Sequence, residues 1–552
     1  MSTQTDDVNG SAVKPDYDTI VIGAGFAGLR IIPELRKLKH SFKVIEAGSD
    51  IGGTWYWNRY PGARTDSEAQ VYILNFSKEM NAEWTWSERF PRQPEVLKYL
   101  NYVADRFDMR KDIQFNTRIK TADYDERTGL WTLSSDEESL KCRYFISASG
   151  ILSIGRELPF KGAENFKGES YRSYAWPKEE VSFKGKRVAV IGTGATAVQI
   201  IPTIAYEAES LTVFQRTANW VLPARNHALM DEQNRDFKAR QDEVWQQARG
   251  QIFGMPFVDT QNKMMDQDDK RKIRAVLECG FEQGGFRYIF ETYADLLTSK
   301  EANEVACDFL REKYHAIVQD EETAELLCPD HVLMAKRPPL GHHYFQTFNR
   351  PNVKLVSLKD NPIKEITDKG VVLEKPDPRF KQSEFEFDVI VYGIGFDAAT
   401  GPLSSIEIRG TDKNTTLGQE WSENLATFLG ITVTGYPNLF MISGPQSPFA
   451  NIPIIIDNTG DWISQLLHHM ENKGYHQVVP KQEAVDQWTK LLTDVYDMTV
   501  LPESAKNAGS WYAGANIPGK QVRPLFWFGG VPSYFQMCKD EVQNNFPSLV
   551  FA

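Results

Sequence analysis

Val21-Ile22-Gly23-Ala24-Gly25-Phe26-Ala27-Gly28 joins an apolar run, Tyr17 to Ile22, to a stretch, Ala27 to Leu38, whose apolar residues recur at helical spacing. The run is rich in β-branched and aromatic residues and predicts a buried parallel strand. The glycines then fall on a strand-to-helix turn. Gly23 permits the tight turn, Gly25 lets backbone approach a pyrophosphate, and Gly28 lets helix and strand pack closely. A second strand, Phe42 to Ile45, ends at Glu46, whose carboxylate can accept hydrogen bonds from ribose hydroxyls. Strand, turn, helix, strand and acid in that order predict a dinucleotide site, and its place at the start of the chain assigns it to FAD.

The pattern recurs at Val190-Ile191-Gly192-Thr193-Gly194-Ala195-Thr196-Ala197, after a strand from Arg187 to Ile191 and before a helix from Ala195. Ala197 replaces the third glycine, and Pro202 is expected to kink or shorten the helix. The next strand, Leu211 to Phe214, ends in Gln215-Arg216-Thr217 with no acid. A carboxylate there would repel a 2′-phosphate, whereas Arg216 can hold one in forked geometry. The second site is therefore read as binding NADPH, unless Arg216 only lies on a solvated surface. Two such sites in one chain are the layout of a flavoenzyme reduced by a nicotinamide.

The rest of the composition removes alternatives. The 552 residues carry a formal net charge of −12, with 41% hydrophobic and 25% charged residues. An acidic chain of that kind argues against a nucleic-acid partner, and no apolar run is long enough for a membrane span. The N-terminus has no signal pattern, and residues 1–15 read as a disordered leader. Cys142, Cys279, Cys307, Cys328 and Cys538 include no C-x-x-C pair, which excludes a flavin disulfide reductase and fits a reduced, cytoplasmic setting. The pairs His342-His343 and His468-His469 lack a completing acid or cysteine cluster, so no metal site is expected. Asp266 to Arg274 places acids before bases, as at a helix start.

Three further stretches carry a resemblance. Phe166-Lys167-Gly168-Glu169-Ser170-Tyr171-Arg172-Ser173-Tyr174-Ala175-Trp176-Pro177 resembles the fingerprint of type I Baeyer–Villiger monooxygenases, the phenylacetone and cyclohexanone monooxygenase family. Phe166, Gly168, Trp176 and Pro177 match, and Arg172 stands where that family has histidine. Gly52 to Asp66 (GGTWYWNRYPGARTD) is similar to another family segment. Alone, Trp55, Trp57 and Tyr60 read first as core packing; the resemblance places Trp55 and Asp66 beside the flavin. Ala335-Lys336-Arg337-Pro338-Pro339 holds Arg337 on extended backbone, because a residue before proline is pushed out of the helical region. Alone it reads as a surface basic pair. The resemblance makes Arg337 the catalytic residue over the flavin ring, positioned by Asp66, and has Lys336 help bind the NADPH phosphate. Further resemblance lies in Asp388 to Asp397, which reads as a strand rejoining the FAD domain, in Gly435 to Pro448, which reads as a flavin-side loop, and in Ser510 to Lys520, where the resemblance implies that Trp511 lies on a mobile loop over NADPH.

The expectation is an α/β chain with two Rossmann-like dinucleotide-binding domains, for FAD and NADP, and a helical insert. The FAD-binding domain takes 16–150 and 388–552, with the mobile loop near 501–520. The NADP-binding domain takes 151–225, including the linker 166–177, and 332–387. The insert takes 226–331, where Phe253, Phe257, Tyr288 and Phe290 are either core or substrate wall. The resemblance implies an NADPH- and dioxygen-dependent enzyme that converts ketones to esters or lactones through a flavin peroxide. Its rivals are a nitrogen- or sulfur-oxidising flavin monooxygenase, an uncoupled NADPH oxidase, and a silent dinucleotide sensor.

Overall fold

A computed structural model describes residues 14–552 of the protein. The leader expected at 1–15 therefore lies outside the described residues, apart from Lys14 and Pro15. Tyr17–Ile22 is a strand buried from Thr19 onward, with parallel neighbours on both edges. Val21 sits opposite Val44 of Phe42–Ile45 on one side and Ile146 of Ser139–Ser147 on the other. A strand covered on both faces shows no polar alternation, which is why it reads as an unbroken apolar run. The sheet continues through Ile113–Gln114 beyond Phe42–Ile45, and through the antiparallel hairpin Thr121–Asp125 and Leu130–Ser134 on the far side. Glu407–Arg409 and Leu439–Met441 return from later in the chain to complete it.

A second, five-stranded sheet is parallel throughout. Its order is Val353–Ser357, Ser210–Gln215, Arg187–Ile191, Val389–Tyr392, Glu169–Arg172. One expectation is corrected here. The Asp388–Asp397 stretch does not rejoin the first sheet, because Val389–Tyr392 pairs between Arg187–Ile191 and Glu169–Arg172 in the second. Four apolar residues buried on both faces suit the middle of either parallel sheet, so their pattern does not choose between them. The chain returns to the first sheet at Glu407–Arg409.

Between the paired short strands Leu222–Pro223 and Leu340–Gly341 the chain is mainly helical, with Lys270–Gln283 and Lys300–Ile317 the longest helices. Asp269 caps the first by accepting from Arg271 N–H at 2.9 Å, and Ser299 caps the second by accepting from Ala302 N–H at 3.2 Å. Such caps contribute about 1 kcal/mol each. Arg287 fastens this insert to the first domain through the buried carboxylate of Glu68 (3.4 Å), which also takes Arg89 at 2.7 Å. In the second domain the helix Ala195–Ile204 contains Pro202 and stops soon after it, because proline lacks the N–H that would bond back up the helix. The segment leading to Trp176 forms an edge strand and then a short turn, after which the buried Trp176 indole packs on Tyr171 at 5.1 Å and Phe183 at 6.3 Å between ring centroids. No helix among the described residues is long and apolar enough to cross a membrane.

Candidate active site

The two glycine turns do different local work. In the first, a Cβ on Gly28 would lie 2.0 Å from the carbonyl oxygen of Gly23, so only glycine lets the helix Phe26–Lys37 sit this close to its strand. Gly25 precedes that helix, and no side chain caps its first N–H groups, which leaves them available to an anion. Glu46 is buried and accepts from Ala24 N–H and Gly48 N–H, each at 2.7 Å. Its carboxylate thus ties the Gly23–Gly25 turn to the end of the second strand and keeps spare lone pairs for hydroxyl donors.

In the second turn, Gly194 faces open space: a Cβ there would meet nothing within 4 Å. The helix behind it again has no side-chain cap. Ala197 is fully buried under the turn, packed against Gly393 of the adjoining strand end. Thr193 Oγ1 donates to Thr217 O at 3.0 Å and links the turn to the strand end that carries Arg216.

One cavity of about 540 Å³ collects most of the candidate residues. Its wall includes Gly192, Gly194, Arg216, Thr217 and Lys336 together with Trp55, Asp66, Arg337 and Trp511. Gly23, Gly25, Gly28, Glu46 and Ala197 are not on its wall. Arg337 Nη1 donates to Asp66 Oδ2, joining residues far apart in the chain. The Asp66 side chain is 8% exposed, and its Oδ1 is buried without a partner. Burial opposes the Arg337 charge, but the Asp66 carboxylate more than offsets it and holds the guanidinium above the ordinary arginine pKa.

Lys336 behaves oppositely. Burial and then the like charge of Arg216 push its pKa down to about 8, with Asp330 pulling the other way. Neither Lys336 nor Arg216 has a salt bridge among the described residues. Cations gathered without an ion-pair partner beside an open glycine turn are the donor set a phosphate group needs.

The rest of the wall is apolar. Phe253 packs on Phe290 at 4.5 Å and on Phe449 at 5.7 Å, and all three line the cavity with Met255, Phe286 and Phe526. Phe257 and Tyr288, read with Phe253 and Phe290 from the sequence, are core residues instead. Trp511 stands over this wall with its ring 5.4 Å from Phe526. Its loop is fastened by Asn516 Nδ2, donating to Phe396 O at 2.8 Å, and by Lys520 Nζ, donating to Asp397 Oδ1 at 2.6 Å. Sequence reasoning missed Phe286, Phe449, Phe526 and Arg156 on the wall; no local motif marks them.

The family model for flavin-binding monooxygenase-like proteins matches residues 18–247. A Baeyer–Villiger monooxygenase of Pseudooceanicola batsensis is 37% identical across 100% of this chain and 98% of its own length. The chain belongs to the Baeyer–Villiger monooxygenase family. The phenazine N-monooxygenase PhzNO1 of Lysobacter antibioticus is 38% identical over 97% of both chains. Among solved structures, the OTEMO complex with FAD and NADP superposes with a TM-score of 0.92 at 37% identity, over 98% of this chain and 100% of that one.

Within the family frame, Arg172 is the visible departure. It is not on the cavity wall; its Nη1 donates to the Tyr174 hydroxyl at 3.0 Å. Burial and then the neighbouring Arg64 push the His342 pKa down to about 3, and its Nδ1 lies 3.1 Å from Arg64 Nη1. A group that could hold an ion, His315, Glu325 and Cys328, lies on the helical insert and off the cavity wall.

Proposed function

We propose that this chain is an FAD- and NADPH-dependent Baeyer–Villiger monooxygenase that uses dioxygen to convert an apolar ketone to an ester or lactone. The observation that carries the reading is the Arg337–Asp66 pair on the wall of the cavity that also contains the open second turn. The first turn, its uncapped helix and Glu46 suit the pyrophosphate and ribose of FAD, with Trp55 and Asp66 toward the ring. Gly192, Gly194, Thr217, Arg216 and Lys336 suit NADP, and Trp511 covers it. When bound, FAD would pass the electrons of NADPH to dioxygen, so that one oxygen atom is inserted beside the carbonyl and the other leaves as water.

The chain's own contribution is electrostatic. As the carbonyl carbon becomes tetrahedral, its oxygen gathers negative charge in a site walled by phenylalanines. A guanidinium cannot shed its proton there and offers several donors, so Arg337 is suited to stabilise that charge. Asp66 holds Arg337 in one orientation. Apolar residues exclude water and favour a ketone without a charged group. Nitrogen oxidation is the second reading, favoured by the likeness to the phenazine N-monooxygenase. An amine lone pair needs an electrophilic, protonated oxygen donor, and a fixed cation such as Arg337 favours the anionic one instead. Free thiols at all five cysteines fit a cytoplasmic location.

Three results test the cofactor assignments. The purified protein should be yellow and should bleach anaerobically with NADPH; a colourless protein contradicts the reading. Arg216→Ala should raise the NADPH KM by roughly ten- to a hundredfold and leave the NADH value little changed, since a charge-assisted phosphate contact is worth about 1.5–3 kcal/mol. An unchanged preference for NADPH would remove Arg216 from the site. Lys336 gives a pH signature. With its pKa depressed to about 8 before cofactor binds, it is charged below that pH and loses its proton above it. NADP affinity should therefore be flat below about pH 8 and fall by up to about tenfold per unit above it. Lys336→Met should flatten the profile, and a wild-type profile flat across that range would contradict the assignment.

A further inference from the structure

Arg156 lies on the cavity wall in the loop that follows the first sheet, and it belongs to none of the motifs that define either nucleotide site. Its backbone N–H donates to Gly395 O at 3.1 Å and its Nη1 donates to Ile394 O at 3.2 Å. The guanidinium is thereby pinned at the carboxyl end of Val389–Tyr392, next to Gly393. The Gly393 carbonyl oxygen in turn packs on the second glycine turn, where a Cβ at Gly192 would lie 2.4 Å from it. The loop is braced from behind: the Tyr174 ring lies so close to Gly155 that an added Cβ would come within 2.1 Å, and Arg172 donates to the Tyr174 hydroxyl.

Arg156 has no salt bridge among the described residues. Burial and then the like charge of Arg216 lower its pKa, and the acid that opposes them, Asp397, is already engaged by Lys520. Arg216 closes the strand on one side of Arg187–Ile191, whereas Arg156 is held at the strand end on the other side. The open glycine turn lies between them. A helix N-terminus offers only about half an elementary charge to a pyrophosphate, so a forked cation at that position adds what the turn lacks.

We propose that Arg156 binds the pyrophosphate of the nicotinamide dinucleotide and is a third cation of this site, separate in role from the 2′-phosphate residues Arg216 and Lys336. The proposal rests on the NADPH reading of the second turn and deepens it. It also gives Arg172 a task in this chain: through Tyr174 it holds the loop from which Arg156 reaches the turn.

Calorimetric binding to the flavin-loaded protein separates the possibilities. ADP-ribose carries the pyrophosphate without the 2′-phosphate, and 2′-AMP carries the reverse. Arg156→Ala should weaken NADP and ADP-ribose by about tenfold while changing 2′-AMP by less than about twofold. Arg216→Ala should weaken NADP and 2′-AMP and change ADP-ribose by less than about twofold. Arg156→Lys, which keeps the charge, should recover part of the loss, and Arg156→Gln, which keeps a donor for Ile394 O, should behave as Arg156→Ala with unchanged flavin content and melting temperature. Unchanged ADP-ribose binding in Arg156→Ala and Arg156→Gln would overturn the proposal, as would a loss confined to 2′-AMP. Failure of the wild-type protein to bind NADP would instead overturn the NADPH reading itself.

Discussion

Arg337→Ala is expected to bleach with NADPH about as fast as the native protein while forming ester at least about a hundredfold more slowly. Removing one fixed donor aimed at a developing oxyanion typically costs about 3 kcal/mol of barrier. The guanidinium suits that role because it is part-buried, held by the Asp66 carboxylate, and charged at every working pH. Reduction does not need it, since the residues assigned to NADPH phosphates, Arg216 and Lys336, are separate side chains. Stopped-flow bleaching and product analysis on the same preparation check both halves. NADPH consumption should continue, with hydrogen peroxide replacing ester as the product. Native ester yield in Arg337→Ala would remove the residue from the chemistry.

Asp66→Ala should have the second-largest effect, a loss of ester formation of about a hundredfold, because misplacing a reacting or stabilising group by about 1 Å can cost that much. The loss arises indirectly. Without its partner, the Arg337 guanidinium has no defined orientation, and a cation that burial already disfavours is left uncompensated. Its side chain is 30% exposed, which allows water to relieve part of that cost, so the fold is expected to survive. Two residues that act as one unit give non-additive losses. The Asp66→Ala/Arg337→Ala double variant should therefore be no slower than Arg337→Ala alone. Asp66→Asn, which keeps an acceptor but not the charge, should fall between. Additive losses in the double variant would mean that Asp66 acts on its own.

How much of this was legible in the sequence depends on how local each signal is. The glycine turns were, because Gly28 and Gly194 meet requirements set within a few residues of themselves. The difference between Glu46 and Arg216 at the two strand ends was legible for the same reason. Arg337 and Asp66 stood out only through family segments, and their pairing is a tertiary fact joining a loop of the first domain to a loop of the second. Val389–Tyr392 shows the limit of periodicity: a run buried on both faces states that it is central but not in which sheet. Phe286, Phe449 and Phe526 could not be separated from core aromatics such as Tyr288, because the side of an aromatic ring that faces a cavity leaves no mark in the chain. Arg156 was hidden more completely. A lone arginine in a loop reads as a solvated side chain, and only Ile394 O and the lack of a salt bridge among the described residues give it a direction.

The central claim is that one atom of dioxygen is inserted next to a carbonyl. Its most direct test is mass analysis of the products from cyclic, linear and aryl ketones incubated with NADPH under oxygen-18 gas. The account predicts an ester or lactone carrying a single labelled oxygen from at least one of these classes. Label recovered only in hydrogen peroxide, or only in an N-oxide when an aromatic amine is supplied instead, would contradict it.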